Sequence, residues 1–122
     1  MKIFLLILSL TVFMTNTHAQ ATPEQKAYVE KMTPTQLYNS YTNFVINELV
    51  KQIQPQGIVL SDVQKLEIGK CTRSILVEEF TTNEIRTMFI QPSNMDRTYY
   101  NKKLDHASNE IQARCKNLFI KQ

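Results

Sequence analysis

The amino-acid sequence predicts an all-α fold, a small bundle of about five helices. Five times along the chain, a serine or threonine is followed three residues later by glutamine, glutamate or aspartate, the spacing that caps a helix start. Apolar residues at helical spacing follow each of these starts. Only residues 58–60 could form a strand, and no other segment alternates as a partner strand would, so we interpret them as a linker with inward apolar side chains.

Residues 1–19 predict a secretory signal peptide. Lys2 precedes an apolar run over Ile3–Met14, and a short polar stretch leads from that run to the small residue Ala19. Cleavage is expected after Ala19 or after Ala21. The apolar run is shorter than the ~20 residues of a membrane span, and no cysteine follows it to carry a lipid. We therefore expect an exported protein, periplasmic or secreted, from a bacterial or a eukaryotic host.

Residues 20–122 are expected to form a single helical domain. The chain has 14 basic and 11 acidic residues, of which the signal peptide would remove only Lys2. This near balance argues against nucleic acid and against an anionic membrane as partners. We expect no stable membrane insertion after cleavage, and we expect the partner to be another protein or a small apolar ligand.

The first two predicted helices begin with the same device. Thr22 and Thr33 each precede a proline and stand three residues before a glutamine, which is typical of a capped helix start. The first helix should end near Met32. The second should run to about Gln54, because a proline–glycine turn follows at residues 55–57. Its apolar stripe comprises Leu37, Tyr41, Phe44, Val45 and Leu49.

The third predicted helix begins after Ser61 and should run to about Phe80. Its apolar residues occur on more than one side, which predicts a helix that is buried over most of its surface. One group comprises Ile68, Cys71 and Ile75, and the other comprises Val63, Leu66, Leu76, Val77 and Phe80.

Two further start signals predict the last two helices. The pair Thr81 and Glu84 predicts a short fourth helix that ends before Pro92, and Ser93 with an acid three residues on predicts the fifth. The fifth helix should run to about Ile120, because apolar residues step by three or four along it. They are Tyr100, Leu104, Ala107, Ile111, Cys115 and Leu118.

Cys71 and Cys115 are the only cysteines, and each has an inward position on a separate long helix. In an exported protein, such a pair forms a structural disulfide more often than a metal site. We predict a disulfide between them. Two buried free thiols, or pairing between chains, are the alternatives.

The sequence offers no catalytic constellation, so a binding protein without metal or cofactor is favoured over an enzyme. No phosphate-binding loop, zinc-protease motif or nucleophile elbow occurs. Glu78 and Glu79 would point about 100° apart on a helix, which suits a solvated edge rather than a catalytic dyad. The alternative is a small hydrolase or lyase that uses His106 with Asp105 or a nearby tyrosine.

A mixed basic and aromatic cluster near the start of the fifth helix is the candidate binding surface. Such a mixture suits an acidic partner or single-stranded nucleic acid, and export argues against nucleic acid. The candidate residues are Arg97, Tyr99, Lys102, Lys103 and His106.

The segment Phe80–Ile85, with the sequence F-T-T-N-E-I, resembles a bacterial domain family of unknown function. The members of that family are short exported helical proteins with an F-T-x-x-E-[LI] motif. The F-Y pair and the P-x-G that usually follow the motif are replaced here at residues 88–91 and 92–94. The resemblance implies a periplasmic helical protein without known activity. The spacing of the motif itself is typical of a corner between two helices.

Overall fold

The computed structural model describes residues 22–119, which form five α-helices. These are α1 at Pro23–Glu30, α2 at Pro34–Ile53, α3 at Asp62–Glu79, α4 at Thr82–Ile90 and α5 at Arg97–Cys115. Short 3₁₀ turns at Gln54–Gln56 and Lys116–Phe119 extend α2 and α5. No strand occurs among the described residues, and the all-α prediction is confirmed. The predicted signal peptide, its cleavage sites and the predicted helix end at Ile120 lie outside the described residues.

A side chain caps the start of every helix. Four of the helix starts form the complete capping box, which consists of two reciprocal hydrogen bonds. The cap hydroxyl accepts from the backbone N–H of the residue three positions on, and the side chain of that residue accepts from the backbone N–H of the cap. These bonds are 2.8–3.2 Å long. The capping residues are Thr22, Thr33, Ser61 and Thr81. The fifth cap is Asp96 rather than the predicted Ser93. The N–H of Met95 bonds to the carbonyl of Pro92, so residues 92–95 form a turn before the helix.

The core of the bundle lies around α3, which contacts both α2 and α5. α4 packs against α2, and α1 packs against α4. Every helix except α1 contributes fully buried side chains. The largest fully buried side chains among the described residues are those of Phe80, which follows α3, and of Leu37, Leu49, Ile53, Ile68, Ile75, Leu76, Ile85, Leu104, Ile111 and Val45.

The prediction that α3 is buried over most of its surface is wrong. Its buried side chains form one stripe, made by Ile68, Thr72, Ile75 and Leu76. Val63, Leu66 and Val77 lie about 140–180° around the helix from Ile68, and they are 69%, 59% and 44% exposed. The neighbouring helices cover α3 from the side of the stripe, so the far side faces solvent. The linker before α3 is also only partly inward, because Leu60 is buried and Val59 is exposed.

The corner between α3 and α4 connects several helices through Phe80. Its ring is 2% exposed, and its carbonyl accepts a 2.5 Å hydrogen bond from the Tyr38 hydroxyl on α2. The Lys103 Nζ of α5 lies 5.4 Å from the centroid of the same ring, within the range of a cation–π interaction. The predicted helix-to-helix corner therefore binds α2, α3, α4 and α5 together.

A disulfide between Cys71 and Cys115 joins α3 to α5. The two Sγ atoms are 1.99 Å apart and the two Cα atoms are 6.0 Å apart. Cys115 is fully buried, and Cys71 packs against the core. The pairing within one chain is the predicted one, and it replaces both alternatives.

The first helix is held at the edge of the bundle. No residue of α1 is fully buried, and only Val29 and Met32 pack against the core near its end. Arg86 of α4 donates a 3.2 Å hydrogen bond from Nη2 to the carbonyl of Met32.

Among residues 22–119, no helix combines the length and the apolar character that crossing a membrane requires.

The disulfide is expected to contribute a large share of the stability. It closes a loop across a sequence separation of 44 residues, for which the chain-entropy model gives roughly 4 kcal/mol. The double variant Cys71→Ala/Cys115→Ala should therefore unfold at much lower urea concentration than the oxidised protein. Reductant should lower the urea concentration at which half of the wild-type protein is unfolded. It should leave this midpoint unchanged for the double variant. Equal midpoints for the wild type with and without reductant would contradict the bond.

The Tyr38 hydroxyl is expected to stabilise the corner. Tyr38→Phe keeps the ring but leaves the buried Phe80 carbonyl without its donor, which should lower the free energy of unfolding by about 1–3 kcal/mol. The matched control is Tyr28→Phe, because the Tyr28 side chain is 71% exposed. Urea unfolding of both variants measures the difference. Equal losses in the two variants would show that the buried bond adds nothing.

Candidate functional site

The predicted binding residues Tyr99 and Lys103 are occupied by contacts within the bundle. The Tyr99 hydroxyl donates a hydrogen bond to Oε2 of Glu84. The Lys103 Nζ lies 3.1 and 3.2 Å from the two oxygens of the same carboxylate. Lys103 also lies 5.4 Å from the centroid of the Tyr99 ring. Glu84, the acid of the F-T-x-x-E-[LI] segment, therefore caps its own helix and attaches α5 to α4.

These contacts set the protonation of the three groups. Burial alone would raise the pKa of the Glu84 carboxyl, but hydrogen bonds from Thr81, Tyr99 and Lys103 lower it below its usual value. The hydrogen bond to Glu84 raises the pKa of the Tyr99 hydroxyl. Burial alone would lower the pKa of Lys103, and the contact with Glu84 raises it instead. All three shifts favour the charged carboxylate and ammonium beside a protonated phenol.

Glu78 and Glu79 also bond to α5, so they are more than the solvated edge that we expected. The Glu79 Oε2 lies 2.8 Å from Nδ1 of His106. The Glu78 oxygens accept from the two terminal nitrogens of Arg114 at 2.9 and 3.2 Å. The hydrogen bonds and the positive charge of Arg114 lower the pKa of Glu78. The carboxylate partner of His106 is thus Glu79, rather than Asp105 or a tyrosine.

The five predicted binding residues fall into two groups. Tyr99, Lys103 and His106 contact carboxylates of α3 and α4. Arg97 and Lys102 are exposed on α5. The structure thus brings three of the five into contact with carboxylates of other helices.

A groove of about 670 Å³ lies between α2 and α3, on another part of the bundle. Ile46 of α2 and Leu66 of α3 provide its apolar surface. Gly69 leaves room on the α3 side, because a Cβ added there would meet nothing within 4 Å. We call this feature the α2–α3 groove.

Polar side chains along the α2–α3 groove differ in how they are bonded. The Arg73 Nε donates a 2.6 Å hydrogen bond to Oδ1 of Asn39, and the guanidinium lies 5.9 Å from the centroid of the Tyr38 ring. Asn43 and Asn47 follow Asn39 along the same side of α2. Within residues 22–119, the side-chain amides of Asn43 and Asn47 have no hydrogen-bond partner. The groove therefore offers unbonded amides beside an arginine that is already held in place.

The α2–α3 groove was not predicted from the sequence, although three features of the sequence are consistent with it. Leu66 lies away from the stripe of Ile68, and Gly69 is a glycine in the interior of a helix. Asparagines recur every four residues on the polar side of α2. None of these signals reveals which helix faces α3, so the groove became visible only when α2 and α3 were placed together.

The described residues contain no group of three or more His, Cys, Asp or Glu side chains that could hold a metal ion.

Comparison of the chain with protein-family profiles, with curated protein sequences and with solved structures gives no match. No activity or partner is therefore transferred from a relative, and the resemblance of Phe80–Ile85 to an exported family stays a prediction.

The charge of Glu84 is expected to make stability depend on pH. Its pKa is lowered in the folded state, so its contribution is present above the unfolded-state value of about 4.3 and is lost as pH falls through the folded-state pKa. Glu84→Gln should lower the free energy of unfolding at pH 7 by about 1.5–3 kcal/mol, the usual contribution of a hydrogen bond to a charged group.

Thermal unfolding between pH 7 and pH 3 measures this effect. The difference between the wild type and Glu84→Gln should shrink as pH falls, because the Glu84 carboxylate takes up a proton when pH passes below its lowered pKa and then resembles the neutral glutamine. Glu30→Gln is the matched control, since Glu30 is exposed on α1 and should show no such difference. If the difference in stability between the wild type and Glu84→Gln stays constant with pH, Glu84 stabilises the fold through packing rather than through its charge.

Proposed function

We propose that this protein is an exported, non-catalytic binding protein of the periplasm or the cell exterior that takes a partner into the α2–α3 groove. The observation that carries the proposal is the groove itself, about 670 Å³ between two helices of the core. That volume lies within the range of roughly 300–1,000 Å³ that is usual for ligand sites. The groove is lined by both apolar and polar side chains, as interaction sites commonly are.

The exposure of Leu66 supports a partner at this place. Leu66 is 59% exposed, and it lines the groove together with Ile46. Covering a leucine side chain is worth about 1.5–3 kcal/mol when burial is complete. A partner that lies in the groove would gain part of this free energy.

Two features support export. The pattern of residues 1–19 is that of a secretory signal peptide. A disulfide such as that between Cys71 and Cys115 forms and persists in oxidising compartments outside the cytosol. Cleavage after Ala19 or after Ala21 would leave all five helices intact, since α1 begins at Pro23.

A hydrolase or lyase that uses His106 is the second candidate. The 2.8 Å contact between His106 Nδ1 and Glu79 Oε2 favours it, because a carboxylate often orients a catalytic imidazole. The His106 side chain is 62% exposed, however, and it is not among the residues that line the α2–α3 groove. A contact that attaches α5 to α3 accounts for the same geometry, so we propose the binding protein.

Photo-crosslinking in the native host tests the proposed function. A photoreactive residue in place of Leu66 is expected to capture a partner of defined mass from the exported fraction. The same residue in place of Val77 is the matched control, because Val77 is exposed on the same helix but does not line the groove. Equal capture at both positions, or capture only at Val77, would contradict a partner in the groove.

The recovered protein also tests export. Its first residue is expected to be Gln20 or Thr22, as cleavage after Ala19 or Ala21 requires. Recovery from the cytosol with Met1 or Lys2 as the first residue would contradict export and would leave the groove hypothesis to the crosslinking result.

A further inference from the structure

We infer that the partner segment in the α2–α3 groove is an extended acidic peptide of another protein, whose backbone hydrogen-bonds to a row of asparagines on α2. This inference rests on the proposed function and adds the class of partner. It is carried by three features of the groove: the spacing of the asparagines, the excess of positive charge, and the space at Gly69.

The asparagines have a spacing that matches an extended backbone. Asn39, Asn43 and Asn47 recur every four residues of α2, which is about 6.0 Å along a helix. Equivalent residues of an extended chain recur every two residues, about 6.6–6.8 Å. The mismatch of less than ~1 Å per step is within the reach of a rotating side chain. Each amide offers both a donor and an acceptor, as a peptide group does.

The bonding of the asparagines leaves them available for such a peptide. Asn43 and Asn47 are exposed, and within residues 22–119 their amides are unbonded. Asn39 uses its Oδ1 to accept from Arg73, which leaves its NH₂ as a donor. A peptide that lies along α2 would therefore meet three donors and two acceptors in one row.

The α3 wall of the groove favours carboxylates. Lys65, Lys70 and Arg73 line it, against a single acid, Asp62. The guanidinium of Arg73 is fixed through Nε by Asn39 and through the ring of Tyr38. In the described part of the chain its two terminal nitrogens have no partner. A planar guanidinium held in this way is suited to bind a carboxylate through two parallel hydrogen bonds.

Gly69 keeps the groove open for an apolar side chain of the peptide. Glycine in a helix interior costs about 1 kcal/mol relative to alanine, and no neighbour at Gly69 requires it, because an added Cβ would meet nothing within 4 Å. The space lies beside Leu66 and near Ile46. Successive side chains of an extended peptide point to opposite sides, so apolar residues could enter this space while acidic residues alternate with them.

The two stretches of the sequence that lie outside residues 22–119 do not have the chemistry of that peptide. Residues 1–21 and 120–122 contain no aspartate or glutamate. The charge of the groove therefore favours a different protein as the source of the segment.

The probe is a terminally blocked hexapeptide of alternating glutamate and valine, since valine favours the extended conformation. Isothermal titration with the disulfide-bonded protein is expected to give saturable one-to-one binding. Two control peptides share its length: one has lysine in place of glutamate, and one carries N-methyl groups on alternate amides. The lysine peptide should not bind, and the N-methylated peptide should bind about tenfold more weakly or worse, because it cannot donate to the asparagines.

Variants of the groove separate the three features. Asn43→Ala and Asn47→Ala should each raise Kd about 3- to 10-fold, and Arg73→Lys should raise it about tenfold because lysine cannot form the double hydrogen bond. Asn109→Ala is the matched control, since Asn109 is exposed on α5, and its Kd should not change. Gly69→Leu should abolish binding, because the leucine side chain would fill the space at Gly69. This variant should unfold at a urea concentration no lower than the wild type does, because leucine is a better helix former than glycine.

The results have distinct meanings. Equal binding of the glutamate and lysine peptides, or an unchanged Kd for Asn43→Ala and Asn47→Ala, would overturn the inference. A dimer in sedimentation that Gly69→Leu dissociates would overturn it in favour of a second copy of this chain. If Leu66 captures a partner but the peptide results are negative, the proposed function stands and this inference fails. If Leu66 captures nothing and the peptide does not bind, both fail.

Discussion

The corner at Phe80–Glu84 is the constraint on which the arrangement of the helices depends. The Phe80 ring is buried while its carbonyl accepts from Tyr38 of α2. The Glu84 carboxylate caps α4 and accepts from Tyr99 and Lys103 of α5. A segment of five residues thus sets the positions of four helices. The bond from Tyr38 also satisfies a buried carbonyl that would be costly to leave unbonded.

Several contacts hold α3 and α5 together, and this fixes one wall of the α2–α3 groove. The disulfide of Cys71 and Cys115 joins the two helices at one place, and Glu79 with His106 joins them near the corner. The bond from Tyr38 to the Phe80 carbonyl then places α2 beside α3. A groove between helices that are already fixed loses little conformational freedom when it binds a partner. The binding role that we propose would therefore require no movement of these helices.

Polar residues of the two candidate surfaces differ in whether they are bonded within the bundle. Tyr99 and Lys103 were predicted to bind a partner, and they bind Glu84, which precedes them by 15 and 19 residues. Asn43 and Asn47 gave no recognisable motif, and their amides are unbonded within residues 22–119. Sequence alone does not separate these cases, because the difference lies in which side chain stands opposite. Fold class and disulfide were predictable from local pattern, whereas the candidate site required the packing of two helices.

The sequence by itself determined the helices, because capping is local. Thr22, Thr33, Ser61 and Thr81 bond only to the turn that follows each of them, so their spacing is sufficient to predict where a helix begins. The tertiary structure alone decided which side of α3 is covered. Leu66 and Ile68 are equally apolar in the sequence, yet Leu66 is exposed in the groove and Ile68 is fully buried. Burial depends on neighbours that are distant along the chain, and a periodic pattern does not specify them.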